Sequence, residues 1–203
     1  MALNRDQLNK LFYMNAAEPA QGPVPPGIAG YDESYKNPYT KYDLEKAKEL
    51  LKKAGYPGGK GLPAMTLEHL ADTTGRQIAE FFKKSMKDIG ININLNSNTW
   101  PKFQEKQNKR QAQIFGLAWS ADYPDAENFL QLFYGPNEAP GSNSANYKNV
   151  EFDKLFDQAK IMQESPERTE LYKKLNQMVA EDGPWIMGVH RMKFVLTHGW
   201  VKN

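Results

Sequence analysis

The sequence contains no cysteine, which removes several kinds of chemistry at once. Disulfides, thiolate nucleophiles and cysteine-ligated zinc are excluded, although either side of a membrane remains compatible with a cysteine-free chain. Histidine is also scarce. The three histidines, His69, His190 and His198, fall on separate segments without metal-ligand spacing. No nucleophile-elbow pattern surrounds any serine, so hydrolase chemistry has little support.

Long hydrophobic runs are absent too. No apolar stretch reaches the roughly 18 residues of a membrane span, and the first residues do not resemble a signal peptide. A net charge of +2 with interspersed signs gives no basis for nucleic-acid binding. The 203 residues are 40% hydrophobic and 12% aromatic, which is enough to bury a sizeable core. One folded domain is therefore the simplest expectation.

Strand and helix patterns alternate through the middle of the chain. The patterns predict strands at 64–70, 91–95 and 114–119, and helices over about 72–90 and 101–111. This order favours right-handed crossovers and a largely parallel sheet flanked by helices. The carboxyl ends of all three strands would then meet at one edge of the sheet.

The remaining segments complete an α/β domain. Capping residues and apolar stripes predict three more helices, and the composition of residues 137–149 predicts a loop. Residues 15–40 are rich in proline and predict an ordered or partner-contacting arm across the surface. The predicted helices span about 43–54, 152–159 and 165–182, and a closing strand pair is predicted at 185–189 and 194–196.

Candidate functional residues cluster at the predicted sheet edge. Trp100 and Asp122 follow neighbouring strands, where open α/β sheets hold their ligands. Asp122 has a second interpretation as a turn former, and Trp100 and Trp119 suit either a ligand-facing wall or the core. Asp122, Asp125 and Glu127 lack the alternating spacing of a calcium loop, so no metal site is predicted.

Seven ordered blocks resemble the carboxy-terminal lobe of extracellular solute-binding protein family 5. These proteins are the oligopeptide- and dipeptide-binding receptors of ABC importers. The resemblance extends over essentially the whole chain and includes Trp100. The blocks are residues 2–8 (ALNRDQL), 47–57 (AKELLKKAGYP), 61–63 (GLP), 89–91 (IGI), 119–125 (WSADYPD), 146–149 (NYKN) with Phe152-Asp153, and 168–172 (RTELY).

The resemblance implies a fold and a role for the chain. Family members have two α/β lobes that close on a ligand, and residues 1–203 resemble only the second, a single type II periplasmic-binding-protein-like lobe with a largely parallel central sheet. The implied protein is a monomeric, non-enzymatic receptor without a cofactor. It would lie in the periplasm or at the cell surface, bind a peptide or other small solute, and deliver it to ABC permease subunits.

The resemblance also assigns the site. In peptide-binding relatives an aspartate in the matching segment binds the ligand's α-ammonium group. Carried over, Asp122 becomes the ammonium anchor, Trp119, Ser120 and Ala121 offer main-chain groups, and Trp100 lines side-chain pockets. Two alternatives stay open: a non-peptide solute such as a nickel chelate or sugar, and a hydrolase that uses Asp122 with Asp125.

Overall fold

A computed structural model describes residues 1–201 and contains seven α-helices and five short strands within them. The helices are α1 (Arg5–Tyr13), α2 (Leu44–Lys53), α3 (Thr73–Lys87), α4 (Trp100–Asn108), α5 (Glu127–Leu130), α6 (Val150–Lys160) and α7 (Pro166–Asp182). The strands are β1 (Glu18–Pro19), β2 (Met65–Leu70), β3 (Ile93–Asn98), β4 (Ile114–Phe115) and β5 (Val189–His190). Three 3-10 turns lie at Pro57–Gly59, Gln131–Phe133 and Gly135–Asn137.

The central sheet is parallel, as the alternating pattern predicts. Its strand order is β3-β2-β4, with Met65 opposite Ile93 and Leu67 opposite Ile114. The connections through α3 and α4 place helices between consecutive strands, so the α/β fold class is confirmed. The ends of β2, β3 and β4 consequently share one edge.

Polar caps fix where the helices begin. The Asp43 side chain accepts from the N–H of Lys46 at 2.8 Å, and Asp72 does the same for Gly75 at 2.8 Å. Such a cap satisfies an N–H group that has no partner inside the helix. The predicted helix starts at these two aspartates are confirmed.

The buried side chains form two apolar clusters. One lies on the central sheet between α2, α3 and β2–β4, and it includes Leu67, Met86 and Ile93. The other lies among α5, α6 and α7 and is dominated by large aromatic residues. Its fully buried members include Phe133, Phe152, Phe156 and Tyr172. The chain between β4 and α5 connects the two clusters.

The proline-rich segment is an ordered arm that packs on α7. Val24 in this arm is completely buried, and its N–H donates to Asn176 Oδ1 at 3.1 Å. The Asn37 side chain donates to the Ala180 carbonyl at 3.3 Å. These contacts confirm an ordered segment and explain how a long connection, whose only regular element is the two-residue strand β1, is held in place.

The predicted strand at 114–119 is wrong in its extent. Only Ile114 and Phe115 pair with β2, and the backbone leaves the sheet at Gly116. Leu117 is 51% exposed and Trp119 is 40% exposed, so the apolar run is not the interior of a buried strand. An apolar run indicates side chains that favour burial, but the pattern does not say whether they are buried within the fold or against another molecule.

The predicted closing strand pair is also wrong. Val189–His190 pairs antiparallel with Glu18–Pro19, and residues 194–196 form no strand. Leu196 is 98% exposed. The predicted turn at residues 190–192 lacks the residues that favour a tight hairpin, so nothing local promotes the predicted pairing. The two short helices α1 and α5 are further additions to the predicted elements.

Candidate functional site

An exposed backbone segment follows β4 at the carboxyl edge of the sheet. Apart from the Gly116 N–H, which ends the ladder with β2, no backbone N–H or C=O group from Gly116 to Ala121 is hydrogen-bonded to another described residue. Ser120 is exposed and Ala121 is partly exposed. Free backbone groups of this kind can pair with an extended chain as a neighbouring strand would. We call residues 116–121 the open segment.

Asn128 connects the open segment to the helical cluster. Its side chain is 1% exposed, on α5 between the buried residues Ala126 and Leu130. Its Oδ1 accepts from the indole N–H of Trp119 at 2.7 Å and from the backbone N–H of Asp122 at 3.4 Å. Sequence reasoning missed this residue, because a buried asparagine in a short helix has no signal in the sequence pattern.

Asp122 lies directly after the open segment with an exposed side chain. Within residues 1–201 its carboxylate accepts no hydrogen bond and forms no ion pair. A turn-forming aspartate would accept a nearby backbone N–H, so the structure gives the turn-former interpretation no support. The carboxylate is available to a cationic partner, and the ammonium-binding role stays a prediction.

Asp125 is engaged in an ion pair and differs sharply from Asp122. Arg168 on α7 donates to its two oxygens at 2.6 and 3.2 Å, and the pair is largely buried. Asp125 also accepts the N–H of Glu127 at 2.8 Å. The same loop holds a hydrogen bond from the Tyr123 hydroxyl to Glu127, which raises the pKa of Tyr123. The loop that carries Asp122 is thus fixed to α7.

Trp100 stands at the first position of α4, at the same edge of the sheet. It is 49% exposed and stacks on Phe103 with a centroid distance of 5.9 Å. Phe103 in turn contacts Phe115 of β4 edge-on at 6.5 Å. This aromatic row brings Trp100 toward β4, the strand that leads into the open segment. The prediction that Trp100 and Asp122 follow neighbouring strands is wrong, because β2 lies between β3 and β4 in the sheet.

A buried polar network holds α4 against the sheet. Glu68 of β2 is 4% exposed and accepts from Lys106 of α4 at 2.7 Å and from Asn98 at 2.7 Å. Desolvation raises the pKa of Glu68, but these hydrogen bonds outweigh it and the net pKa is lowered. The network therefore contains a charged pair that fixes the helix bearing Trp100.

Two recesses of the surface lie away from these residues. A groove of about 570 Å³ separates α6 from α7, and a recess of about 330 Å³ surrounds Arg5; neither contains Trp100, Trp119 or Asp122. No group of three potential metal ligands occurs among the described residues. None of the described helices is long and apolar enough to cross a membrane. The candidate site is an exposed surface, because Trp100, Trp119 and Asp122 are all exposed.

Comparison with known proteins supports the resemblance read from the sequence. The family described as "Bacterial extracellular solute-binding proteins, family 5 Middle" matches residues 1–141. The chain belongs to this family. The parallel sheet and the flanking helices are those of a periplasmic binding protein, so the recognition and the fold predicted from the sequence are both confirmed.

Named relatives differ in what they bind. Heme-binding protein A of Haemophilus influenzae is 31% identical over 95% of this chain and 35% of that protein. Di/tripeptide-binding protein 1 of Pseudomonas aeruginosa is 30% identical over 91% of this chain and 34% of that protein. The chain thus spans about a third of the length of these relatives.

A solved structure gives the same picture. The periplasmic binding protein DppA from Helicobacter pylori, in complex with the peptide STSA, superposes with a TM-score of 0.84. It is 32% identical, and the match covers 93% of this chain and 36% of that one. The fold is therefore shared over nearly all of the present sequence.

Proposed function

We propose that this chain is one lobe of an ABC-importer receptor that binds peptides between two lobes. The carboxy-terminal lobe would span residues 1–203 and bind weakly by itself, because half of the enclosing surface is supplied by the other lobe. The receptor would be a non-enzymatic monomer, act in the periplasm or at the cell surface, and pass its ligand to permease subunits.

One observation carries this proposal: the Asp122 carboxylate, which has no partner among residues 1–201, follows a segment whose backbone is largely unpaired within the same residues. Backbone groups of Trp119, Ser120 and Ala121 would pair with a peptide irrespective of its side chains. Asp122 would neutralise the peptide's α-ammonium group and so set the register of binding. Trp100 would supply an apolar wall for a ligand side chain.

The alternatives fit the site less well. The relative from Haemophilus influenzae is named as a heme-binding protein, but heme carries propionates that a free Asp122 carboxylate would repel. The same repulsion disfavours any anionic chelate, whereas a neutral sugar would leave the carboxylate without a cation. A hydrolase that pairs Asp122 with Asp125 is disfavoured, because Arg168 already occupies the second carboxylate.

Calorimetry on the two-lobed receptor tests the anchor. Trialanine should bind the unsubstituted receptor, and N-acetylated trialanine should bind more weakly by about 2–5 kcal/mol, since the cation is absent. Asp122→Asn should weaken trialanine binding by a similar amount and leave the acetylated peptide little changed. The matched control is Glu80→Gln, which neutralises an exposed carboxylate on α3, outside the candidate site.

Two results would count against the proposal. Equal affinities of trialanine for the Asp122→Asn variant and the unsubstituted receptor would remove the anchor role. Mass spectrometry of the ligand that co-purifies with the receptor gives an independent answer. A sugar or a metal chelate in place of peptides would replace the proposed ligand class.

A further inference from the structure

The open segment is tethered by a single side chain. From Leu117, beyond the ladder that β4 forms with β2, to Asp122, every hydrogen bond to another described residue goes to Asn128 Oδ1. Without that oxygen, these residues would be joined to the rest of the fold only by packing and by their two ends. Free residues of this kind sample many conformations, and binding would have to order them.

We propose that Asn128 is a positioning residue that holds the peptide-binding segment in its binding conformation. The inference rests on the proposed function and assigns a role to a residue that would not itself touch the ligand. Asn128 would fix the indole of Trp119 and the backbone of Asp122 before a ligand arrives. A segment ordered in advance binds more tightly, because less freedom is lost on binding.

The burial of Asn128 supports this role. A side-chain amide that is 1% exposed is costly in an apolar cluster unless it is hydrogen-bonded. Both hydrogen bonds that its oxygen accepts come from Trp119 and Asp122, which precede α5 in the chain. An apolar residue at this buried position would avoid the cost of burying an amide, but it would not organise that segment.

The geometry also changes the role expected for Trp119. Its indole N–H, the only polar group on that side chain, is occupied by Asn128 at 2.7 Å. The exposed part of Trp119 is therefore an apolar ring, and it offers no hydrogen bond to a ligand. We infer that ligand contacts of Trp119 go through its backbone and its ring face.

A spectroscopic experiment reads the tether directly. In a nitrogen-15 correlation spectrum of this chain, the Trp119 indole N–H, assigned by its loss in Trp119→Phe, should exchange slowly with water. Asn128→Leu should speed that exchange, whereas Asn128→Asp should preserve the signal, because a carboxylate oxygen replaces the amide oxygen. The indole of Trp100, which donates no hydrogen bond to a described residue, is the internal reference.

The same variants are then compared in the two-lobed receptor with trialanine. Asn128→Leu should weaken binding by about 10- to 100-fold, the loss expected for displaced buried hydrogen bonds. Asn128→Asp should recover most of this affinity. Trp119→Phe removes the donor of one of the two hydrogen bonds and leaves Asn128 in place. It should therefore weaken binding by a smaller factor than Asn128→Leu. This variant tests the tether even where Asn128→Leu folds poorly.

The outcomes separate this inference from the proposed function. A change in the Trp119 signal with full affinity in Asn128→Leu, while Asp122→Asn still weakens binding, overturns the positioning role alone. Lost affinity with an unchanged Trp119 signal also overturns it, since the tether would be intact. If neither Asp122→Asn nor Asn128→Leu weakens trialanine binding, both the anchor and the positioning role are wrong.

Discussion

Removing one partner of the ion pair between Arg168 and Asp125 should destabilise the fold, because it leaves a partly buried charge without its counter-ion. Arg168→Met would remove both bonds to Asp125 and a third bond, at 3.2 Å, to the carbonyl of the fully buried Ala159. Breaking a buried pair by removing one partner costs about 3–5 kcal/mol. The Asp125 side chain is 22% exposed, and it keeps its bond from Glu127, so water and that N–H offset part of the loss. We expect a loss of about 2–4 kcal/mol.

Urea unfolding of this chain, followed by circular dichroism, measures the change. Lys102→Met is the matched control, because it breaks a lysine–glutamate pair whose side chains are 53% and 39% exposed. Exposed helical pairs contribute about 0.3–0.5 kcal/mol, so the control should lose little. Arg168→Lys should fall between the two, since lysine keeps the charge but not the forked geometry. Equal losses for Arg168→Met and Lys102→Met would refute the reasoning.

Two other substitutions test the backbone and the response to pH. Gly90→Ala places a Cβ 2.2 Å from the carbonyl oxygen of Gly58, whereas Gly55→Ala has the same φ of +90° and open space around it. Urea unfolding should show a loss of about 1 kcal/mol for Gly55→Ala from strain alone and a clearly larger one for Gly90→Ala; equal losses would contradict the close contact. Burial lowers the pKa of His190 from 6.5 to about 4, so the unfolded chain binds a proton in this window that the folded chain does not. Stability should therefore fall by roughly 2–3 kcal/mol as pH drops from 6.5 to 4, and His190→Gln should flatten that slope; an unchanged slope would show that His190 is not the titrating group.

Local signals in the sequence were sufficient for most of the sheet and its helices. Asp43 and Asp72 mark helix starts because a carboxylate satisfies N–H groups that the helix leaves free. The alternation of isoleucine and asparagine predicted β3, since the period of a half-buried strand is two. Both signals depend on neighbours within a few residues, which is why a single sequence contains them.

Contacts between distant segments were not predictable in this way. Arg168 reaches Asp125 across 43 positions, and β5 pairs with β1 near the other end of the chain. In neither pair does the sequence around one partner indicate which residues it will contact. The role of Asn128 was equally unpredictable from the sequence, because it depends on a hydrogen bond from Trp119, which lies in a different segment.

The wrong prediction at 114–119 is informative about the site itself. Ile114 and Phe115 join the sheet, but Leu117 and Trp119 are exposed, although their side chains are those of a buried strand. Exposed apolar groups beside unpaired backbone are unfavourable in an isolated surface and common where another molecule binds. The burial that the sequence pattern predicted for Leu117 and Trp119 is not found within the described residues. Under the proposed function, a peptide held against residues 116–121 and a second lobe would cover these side chains. Where a local rule fails without a visible compensation inside the fold, a binding surface is the physical explanation to test first.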